Sequence, residues 1–498
     1  MMEATVSKSE HLYAATLGAA AAVSALVLAT VAHDGTSASK YALLFLGFVV
    51  LVLLSGLAYL RPLVVVVIAL TFITCPLQLI LSLEQSAFVS MFLLGGAALG
   101  IALRVPLKSI TPDSLILPIG LLASYAVVSS VYGIWLGNGI GYTLGDCFQI
   151  IEFAIVYFLI SQLLTKPETT RVALRFWLAS VLATVLVELL LFALGPGAGN
   201  LLPSWEPTAD SDVVLRTIDI NAAILFAVLV NLYPVARERK QRFWILLALV
   251  PIAVSIALSL SRGLWFCSLV AIVVSMMLQQ RAGRRRLLRA FAGVSIVVLL
   301  LAATWKTGTD SDSSLLGVFG DRVFYGVDQV EQGFAGTESM ETRRFLEWII
   351  VGPQVVERPL MGRGLGATYV IPGFAVIDQD TSAPIDHHFI HNLYLVTAFR
   401  MGTIGLTLLL WIFVRYFRKI VGLYRRMDAG WDRALAAGLV AGIVGQLCLS
   451  VTQPTVTDHP TCAVIACAMA LSIRLATRAP QRPQMIGPGI DMQGMTTR

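Results

Sequence analysis

The sequence predicts an all-α polytopic membrane bundle of about 14 transmembrane helices (about 12 if its weakest pair is lost), with one large external loop. Composition is the first reason. The chain has 498 residues, of which 57% are hydrophobic and 13% charged, about half the share of charge in a soluble domain. Mean hydropathy is +0.79. Distribution is the second reason, because the apolar residues fall in runs long enough to cross a bilayer. The third is the alternation of basic and non-basic loops between those runs. So little charge cannot clothe a water-facing surface of this size. A soluble enzyme, a disulfide scaffold and a disordered chain are excluded, and the net charge of +6 reads as loop bias, not as a nucleic-acid surface.

Taken in order, the spans lie near 12–31, 41–60, 62–83, 87–103, 115–136, 146–164, 172–194, 218–236, 243–260, 264–280, 288–304, 390–414, 434–453 and 459–474. The weakest pair is 62–83 and 87–103. The first run follows Lys8, but Glu3 and Glu10 spoil the n-region of a signal peptide, so it reads as an uncleaved span. Arg237, Arg239, Lys240 and Arg242 fill one short loop, Arg281 to Arg289 a second, and Arg415 to Arg433 a third. The positive-inside rule puts these loops and both termini in the cytoplasm. The chain then divides into spans up to 304, an external loop at 305–389, spans at 390–474, and a tail at 475–498. That tail is rich in Pro, Gly and polar residues and reads as disordered. No internal repeat suggests an inverted-repeat transporter. The six cysteines mostly sit in apolar runs without metal-site spacing and read as small buried residues.

The external loop breaks the pattern. It carries twelve acidic and six basic residues, as a folded surface would, and long structured loops are where function concentrates. A second external loop covers 195–217. Within the first, ETRRFLEWII alternates charge with Phe345, Leu346, Trp348, Ile349 and Ile350. It reads as a short amphipathic helix on the outer leaflet, with its apolar side in lipid and Arg343 and Arg344 toward headgroups. Arg262, in LSLSRGLWF, is held at the same face by a tight hairpin. Guanidinium grips phosphate in bidentate fashion, although simple headgroup anchoring explains any one of these arginines as well. RPLMGRGLGATY, with Gly362, Gly364 and Gly366, follows no strand and reads as a tight turn that sets Arg363 near the site. Arg216 and Asp219, at the outer end of the 218–236 span, are close enough to join it.

Three of the six histidines fall in DHHFIHNLYL: His387, His388 and His391. His391 would occupy the first turn of the 390–414 span. A helix N-terminus disfavours a cationic ring, so this imidazole should stay neutral and able to accept a proton. The plainer reading is an interfacial helix cap. Asp378, Asp380, Asp386, His387, His388 and His391 could offer mixed metal ligands, but the spacing matches no tight zinc pattern. Neither a metal nor an organic cofactor is expected. Glu152, Glu188, Arg175 and Arg400 fall inside spans and should face the bundle interior in pairs, with Arg400 able to neutralise Glu188.

The ordered set LSLSRGLWF, a long external loop, RRFLEWIIVGPQVVERPLMGRGLG and HNLYLVTAFRMGTIGLTLLL resembles the O-antigen ligase and polymerase superfamily over roughly the C-terminal half. The resemblance implies a bacterial inner-membrane glycosyltransferase of the C-type class, active on the periplasmic side without a metal. The donor would be an undecaprenyl-diphosphate-linked oligosaccharide, and the acceptor a hydroxyl on a glycan or on lipid A core. It also implies that His391 acts as base and that Arg262, with Arg343 or Arg344, holds the diphosphate; His388, Arg363, Arg216 and Asp219 remain further substrate-binding candidates. A polymerase for exopolysaccharide or O-antigen is the first expectation, with a chain-length regulator as a conceivable partner. The alternatives are a ligase and, from another class, a transporter or flippase of lipid-linked glycan that uses Glu152, Glu188, Arg175 and Arg400 as a midplane path.

Overall fold

The computed structural model describes residues 113–164, 167–194, 220–259, 261–304, 340–369, 388–428, 430–453 and 461–478, together with positions 94, 95 and 98. The three spans expected before residue 84, the 87–103 span apart from those three positions, the 195–217 loop and the tail after 478 lie outside the described residues. What is described is helical: α1 (Ile116–Trp135), α2 (Ile140–Leu163), α3 (Pro167–Leu194), α4 (Ile220–Leu232), α5 (Arg239–Leu258), α6 (Arg262–Leu278), α7 (Arg281–Thr304), α8 (Met340–Glu357), α9 (Leu393–Tyr424), α10 (Trp431–Leu449) and α11 (Thr461–Arg478). Six of these contain stretches long and apolar enough to cross a membrane, in α1, α2, α3, α5, α9 and α10. α4, α6 and α11 are apolar but shorter.

Several ends differ from the sequence reading. α2 starts at Ile140 instead of 146, and α9 runs on to Tyr424 instead of 414. A helix does not stop at the lipid boundary when the next residues, here Arg415, Arg418 and Lys419, are good helix formers. α11 likewise continues to Arg478, past the expected end of its span.

α10 is the centre of the bundle, packed against α4, α6 and α11. Between lipid-embedded helices there is little hydrophobic driving force, so close approach of backbones and buried polar contacts must hold them together. α10 supplies the first. A side chain at Gly438 would come within 2.5 Å of Val228 Cα, and one at Gly445 within 2.6 Å of the Cys267 carbonyl oxygen. Buried polar groups supply the second. Asn231 on α4 donates to Ser275 Oγ on α6 at 2.7 Å and accepts from Gln279 Nε2 at 3.0 Å. Tyr416 on α9 meets Ser472 Oγ on α11 at 2.9 Å.

The break in α9 positions everything near its N-terminal end. Gly402 adopts φ 64°, ψ −167°, which opens the helix between Met401 and Thr403. The freed groups find partners on two sides. Thr403 and Ile404 donate their N–H to Pro359 O (2.7 Å) and Leu360 O (3.4 Å), and Arg363 N–H donates to Phe399 O (2.8 Å). From α1, Ser129 Oγ donates to Arg400 O (3.3 Å) and the Tyr125 hydroxyl to Met401 O (3.1 Å). Irregular backbone at membrane depth is tolerated when protein satisfies it in this way.

The turn that fills the break is MGRGLG. Gly362, Gly364 and Gly366 all have positive φ, so the tight turn read from the sequence is observed. A side chain at Gly364 would meet Gly133 Cα at 2.3 Å, and one at Gly366 would meet Thr143 Oγ1 at 2.2 Å. Asn138 Nδ2 donates to the carbonyls of Arg363 and Leu365, both at 3.0 Å. A small cluster of Val351, Ala367, Tyr369, Ile390, Val396 and Phe399 clamps α8 and this turn onto α9.

At the far end, Asp113 accepts from Lys419 Nζ at 2.8 Å and from the Tyr157 hydroxyl at 2.9 Å. Burial pushes its carboxyl up, but Lys419, the Leu115 N–H and Tyr157 outweigh that and hold it below the usual carboxylate value. This ties the start of α1 to the tail of α9.

The Gly402→Ala variant should lose about 3 kcal/mol or more of stability, because a β-carbon there would lie 2.1 Å from Leu360 O at a backbone conformation favourable only to glycine. Thermal unfolding of the purified protein in detergent measures it.

Candidate functional site

The site is built at the end of the bundle where α9 and α6 begin and α10 ends. Asn392 caps α9, its Oδ1 accepting the N–H groups of Tyr394 (2.9 Å) and Leu395 (3.0 Å). The cap places His391 just before the helix instead of in its first turn. Leu393 N–H donates to Ser450 O at 2.9 Å, fixing this entry against the end of α10. On the other side of α10, the SRG turn starts α6. Ser261 Oγ caps it by accepting the Leu264 N–H at 3.4 Å. Gly263 faces Leu449 Cδ1, which a β-carbon would meet at 2.7 Å. Arg262 and His391 therefore share one end of the bundle, each brought to the last turn of α10 by a nearby residue, Gly263 and Leu393.

His391 is held by a residue the sequence reading did not single out. Its Nδ1 lies 2.7 Å from Glu347 Oε1, and its backbone N–H donates to Glu347 Oε2 at 3.0 Å. Glu347 is 3% exposed although it sits on the amphipathic helix α8. A carboxylate only accepts, so Nδ1 is the nitrogen that carries the hydrogen toward Glu347, and in a neutral ring Nε2 is the one with the lone pair. Tyr369 lies beside this pair and donates to Phe389 O at 3.2 Å. Burial, and then the Glu347 charge, push its phenol far above the ordinary value, so it stays protonated. Phe389 covers one edge of the His391 ring, with centroids 4.7 Å apart.

A second constellation lies next to the first. Asp146 on α2 accepts from Arg400 Nη1 at 2.8 Å and from the Gly366 N–H at 2.8 Å. Its Oδ1 lies 3.2 Å from His388 Nε2. Arg400 also donates to the His388 carbonyl oxygen and, through Nε, to Ala367 O at 3.4 Å. The His388 ring stacks on Tyr142, centroids 4.2 Å apart and planes 16° from parallel. Arg400 and Asp146 are both buried, so each compensates the other's desolvation.

The sequence candidates fall out as follows. His391, His388 and Arg262 come to one end. Arg363 is there too, within cation–π range of Phe399 at 6.0 Å, but its guanidinium pairs with Glu357. Arg343 and Arg344 lie in α8, the helix that carries Glu347; their side chains are outside the described residues, as are Arg216, Asp219, Asp378, Asp380, Asp386 and His387. α8 is amphipathic as expected, with Trp348, Ile349 and Val356 exposed, but Val351 is buried against α9. Its apolar side is therefore divided between protein and surroundings.

Arg400 pairs with Asp146, not with Glu188, which instead accepts from Ser255 Oγ at 3.4 Å on the neighbouring helix α5. Arg175 is exposed on α3 and not turned inward. Glu152 is buried and accepts from Cys462 Sγ at 3.2 Å. The pairing with Glu347 and Asp146 had no local signal, because the partners are 44 and 254 residues apart.

Removing the Asp146 carboxylate while keeping Arg400 leaves a buried charge without its counter-ion. Asp146→Ala should therefore cost about 3–5 kcal/mol, and Asp146→Asn less, as read by unfolding of the purified variants.

No curated protein matches the chain. Residues 246–410, about a third of the sequence, match the family model described as O-Antigen ligase. The matched stretch holds Arg262, Arg343, Arg344, Glu347, Arg363, His388, His391 and Arg400, and over it the chain is similar to the O-antigen ligase and polymerase superfamily.

Proposed function

We propose that the protein transfers a glycan from a lipid-diphosphate donor, of the undecaprenyl type, to an acceptor hydroxyl at the periplasmic face of the inner membrane. The observation that carries this reading is the His391–Glu347 pair, 2.7 Å apart, at the same end of the bundle as Arg262. A sugar hydroxyl is a weak acid and needs a neutral base as it attacks. His391 Nε2 takes that proton while Glu347 holds the ring and stabilises the imidazolium. The acceptor oxygen forms the new bond to the anomeric carbon. The anomeric C–O bond to phosphate breaks, and the lipid diphosphate leaves with the electron pair. Arg262, at the N-terminus of α6, adds its cation to the partial positive charge of that helix end. Arg343 or Arg344 on α8 supplies a second cation for the leaving group. The reaction as written needs no metal or organic cofactor.

The acceptor distinguishes polymerase from ligase, and the polymerase is the reading put forward here, on the breadth of that functional group. The transporter alternative has less support: Glu152, Glu188 and Arg400 are each engaged with a different neighbouring helix.

In a strain lacking the protein, surface glycan displayed on a gel tests both points. Loss of the long ladder with one repeat left on lipid A core indicates a polymerase, and loss of every attached repeat indicates a ligase. Complementation with His391→Ala or Arg262→Ala should give no product although the protein inserts normally. A normal ladder from His391→Ala would overturn the assignment. Glu347→Gln, which keeps a hydrogen-bond acceptor but loses the charge, should lower kcat by about 10–100-fold with little change in KM.

A further inference from the structure

Tyr369 stands between the two constellations. Its backbone follows directly on two anchors to the buried ion pair: the Gly366 N–H donates to Asp146 Oδ2 at 2.8 Å, and Ala367 O accepts from Arg400 Nε at 3.4 Å. The chain is thereby fixed two residues before the phenol. Tyr369 is 3% exposed, and its ring packs with Val351 of α8 and with Ile390, Val396 and Phe399. Close packing of this kind restrains a ring to one orientation.

Its hydroxyl has one hydrogen and two acceptors within reach. One is Phe389 O, at 3.2 Å. The other is the Glu347 carboxylate, a side-chain hydrogen-bond partner on α8. A buried phenol needs an acceptor, and the Phe389 carbonyl alone would satisfy it. The second acceptor is the same carboxylate that meets His391 Nδ1 and the His391 N–H. A donor on that carboxylate withdraws part of the negative charge that the imidazole meets. The effect is large where little water screens it, and Glu347 is buried.

We propose that Tyr369 is a positioning residue of the glycosyl-transfer site: its hydroxyl, shared between Glu347 and the Phe389 carbonyl, limits how strongly Glu347 favours a protonated His391 and so keeps that ring ready to take a proton from the acceptor. That role presupposes His391 as the base of the proposed reaction. The other charged and titratable groups nearby are Arg262 at the start of α6, the Arg400–Asp146 pair, and His388 beside that pair. Arg400 acts on the phenol in the sense opposite to Glu347. All of these stay in place when one phenol oxygen is removed. A packing role alone would then lower the rate equally at every pH. Action through Glu347 gives a different result: without the hydroxyl, the carboxylate charge falls undivided on His391, the ring keeps its proton to higher pH, and the acidic limb of the rate–pH profile moves up.

The test uses the full chain in detergent, with the lipid extract of a strain lacking the protein as substrate and the glycan product read on a gel across a range of pH. Tyr369→Phe keeps the ring and should move the acidic limb up by about 0.5–1 pH unit, which lowers the rate below the limb by about 3–10-fold and leaves the plateau kcat and KM within about 2-fold. Replacing Tyr369 by difluorotyrosine, a stronger donor of nearly the same shape, should move the limb down, and this keeps the test decisive if Tyr369→Phe does not fold. In a Glu347→Gln background, Tyr369→Phe should shift the limb no further. With His391→Ala inactive, the proposal is overturned by an unshifted limb in Tyr369→Phe, by a loss equal at all pH values, or by a shift that persists in Glu347→Gln. Activity in His391→Ala would instead overturn the glycosyl-transfer reading itself.

Discussion

The buried contact between Arg400 and Asp146 is what the rest of the site depends on. Two charges withdrawn from water are costly unless each meets the other with good geometry and the remaining hydrogen-bonding positions are filled. Here Asp146 takes its other bond from the Gly366 N–H, and Arg400 spends its remaining donors on Ala367 and His388. One ion pair thereby joins α2, the glycine turn, the segment before α9 and α9 itself. It lies two residues before the break at Gly402, where the backbone would otherwise leave donors and acceptors unmet.

This arrangement separates support from chemistry. His388 and His391 are three positions apart, yet they answer to different carboxylates on different helices: Asp146 from α2 and Glu347 from α8. His388 is packed under Tyr142 and tied to the ion pair. Among the described residues His391 is held through one ring nitrogen only. The two rings thus stand in different surroundings, although their sequence contexts are nearly alike, and the proposed function gives them different work.

The helices were legible because apolar runs in a charge-poor chain have few other meanings. His391 was legible because a polar ring at the mouth of such a run is costly without a purpose. The glycine turn was also readable, since three glycines at alternate positions suit few other structures. Glu347 was hidden: in ETRRFLEWII it reads as one more charge on a wet helix face, and its burial follows only from α8 lying against α9. Asp146 stood at the edge of an apolar run with nothing nearby to announce Arg400. Gly402 gave no warning either, because isolated glycines are common in membrane helices, and the break exists only where the 358–366 turn supplies replacement carbonyls.

The stretch from His388 to Ile404 is pinned at five places along its length: to Asp146, to Glu347, to Ser450, to the α1 hydroxyls and to the Pro359 and Leu360 carbonyls. Its attachments come from different directions at intervals of a few residues, so it behaves as a ruler between the two histidines and the helix break. A single added or deleted residue within it would shift some attachments out of phase with the others, and no local bulge could restore them all. Changes in chain length can be absorbed only before 388 or after 404, which makes this span a natural yardstick for aligning distant versions of the same bundle.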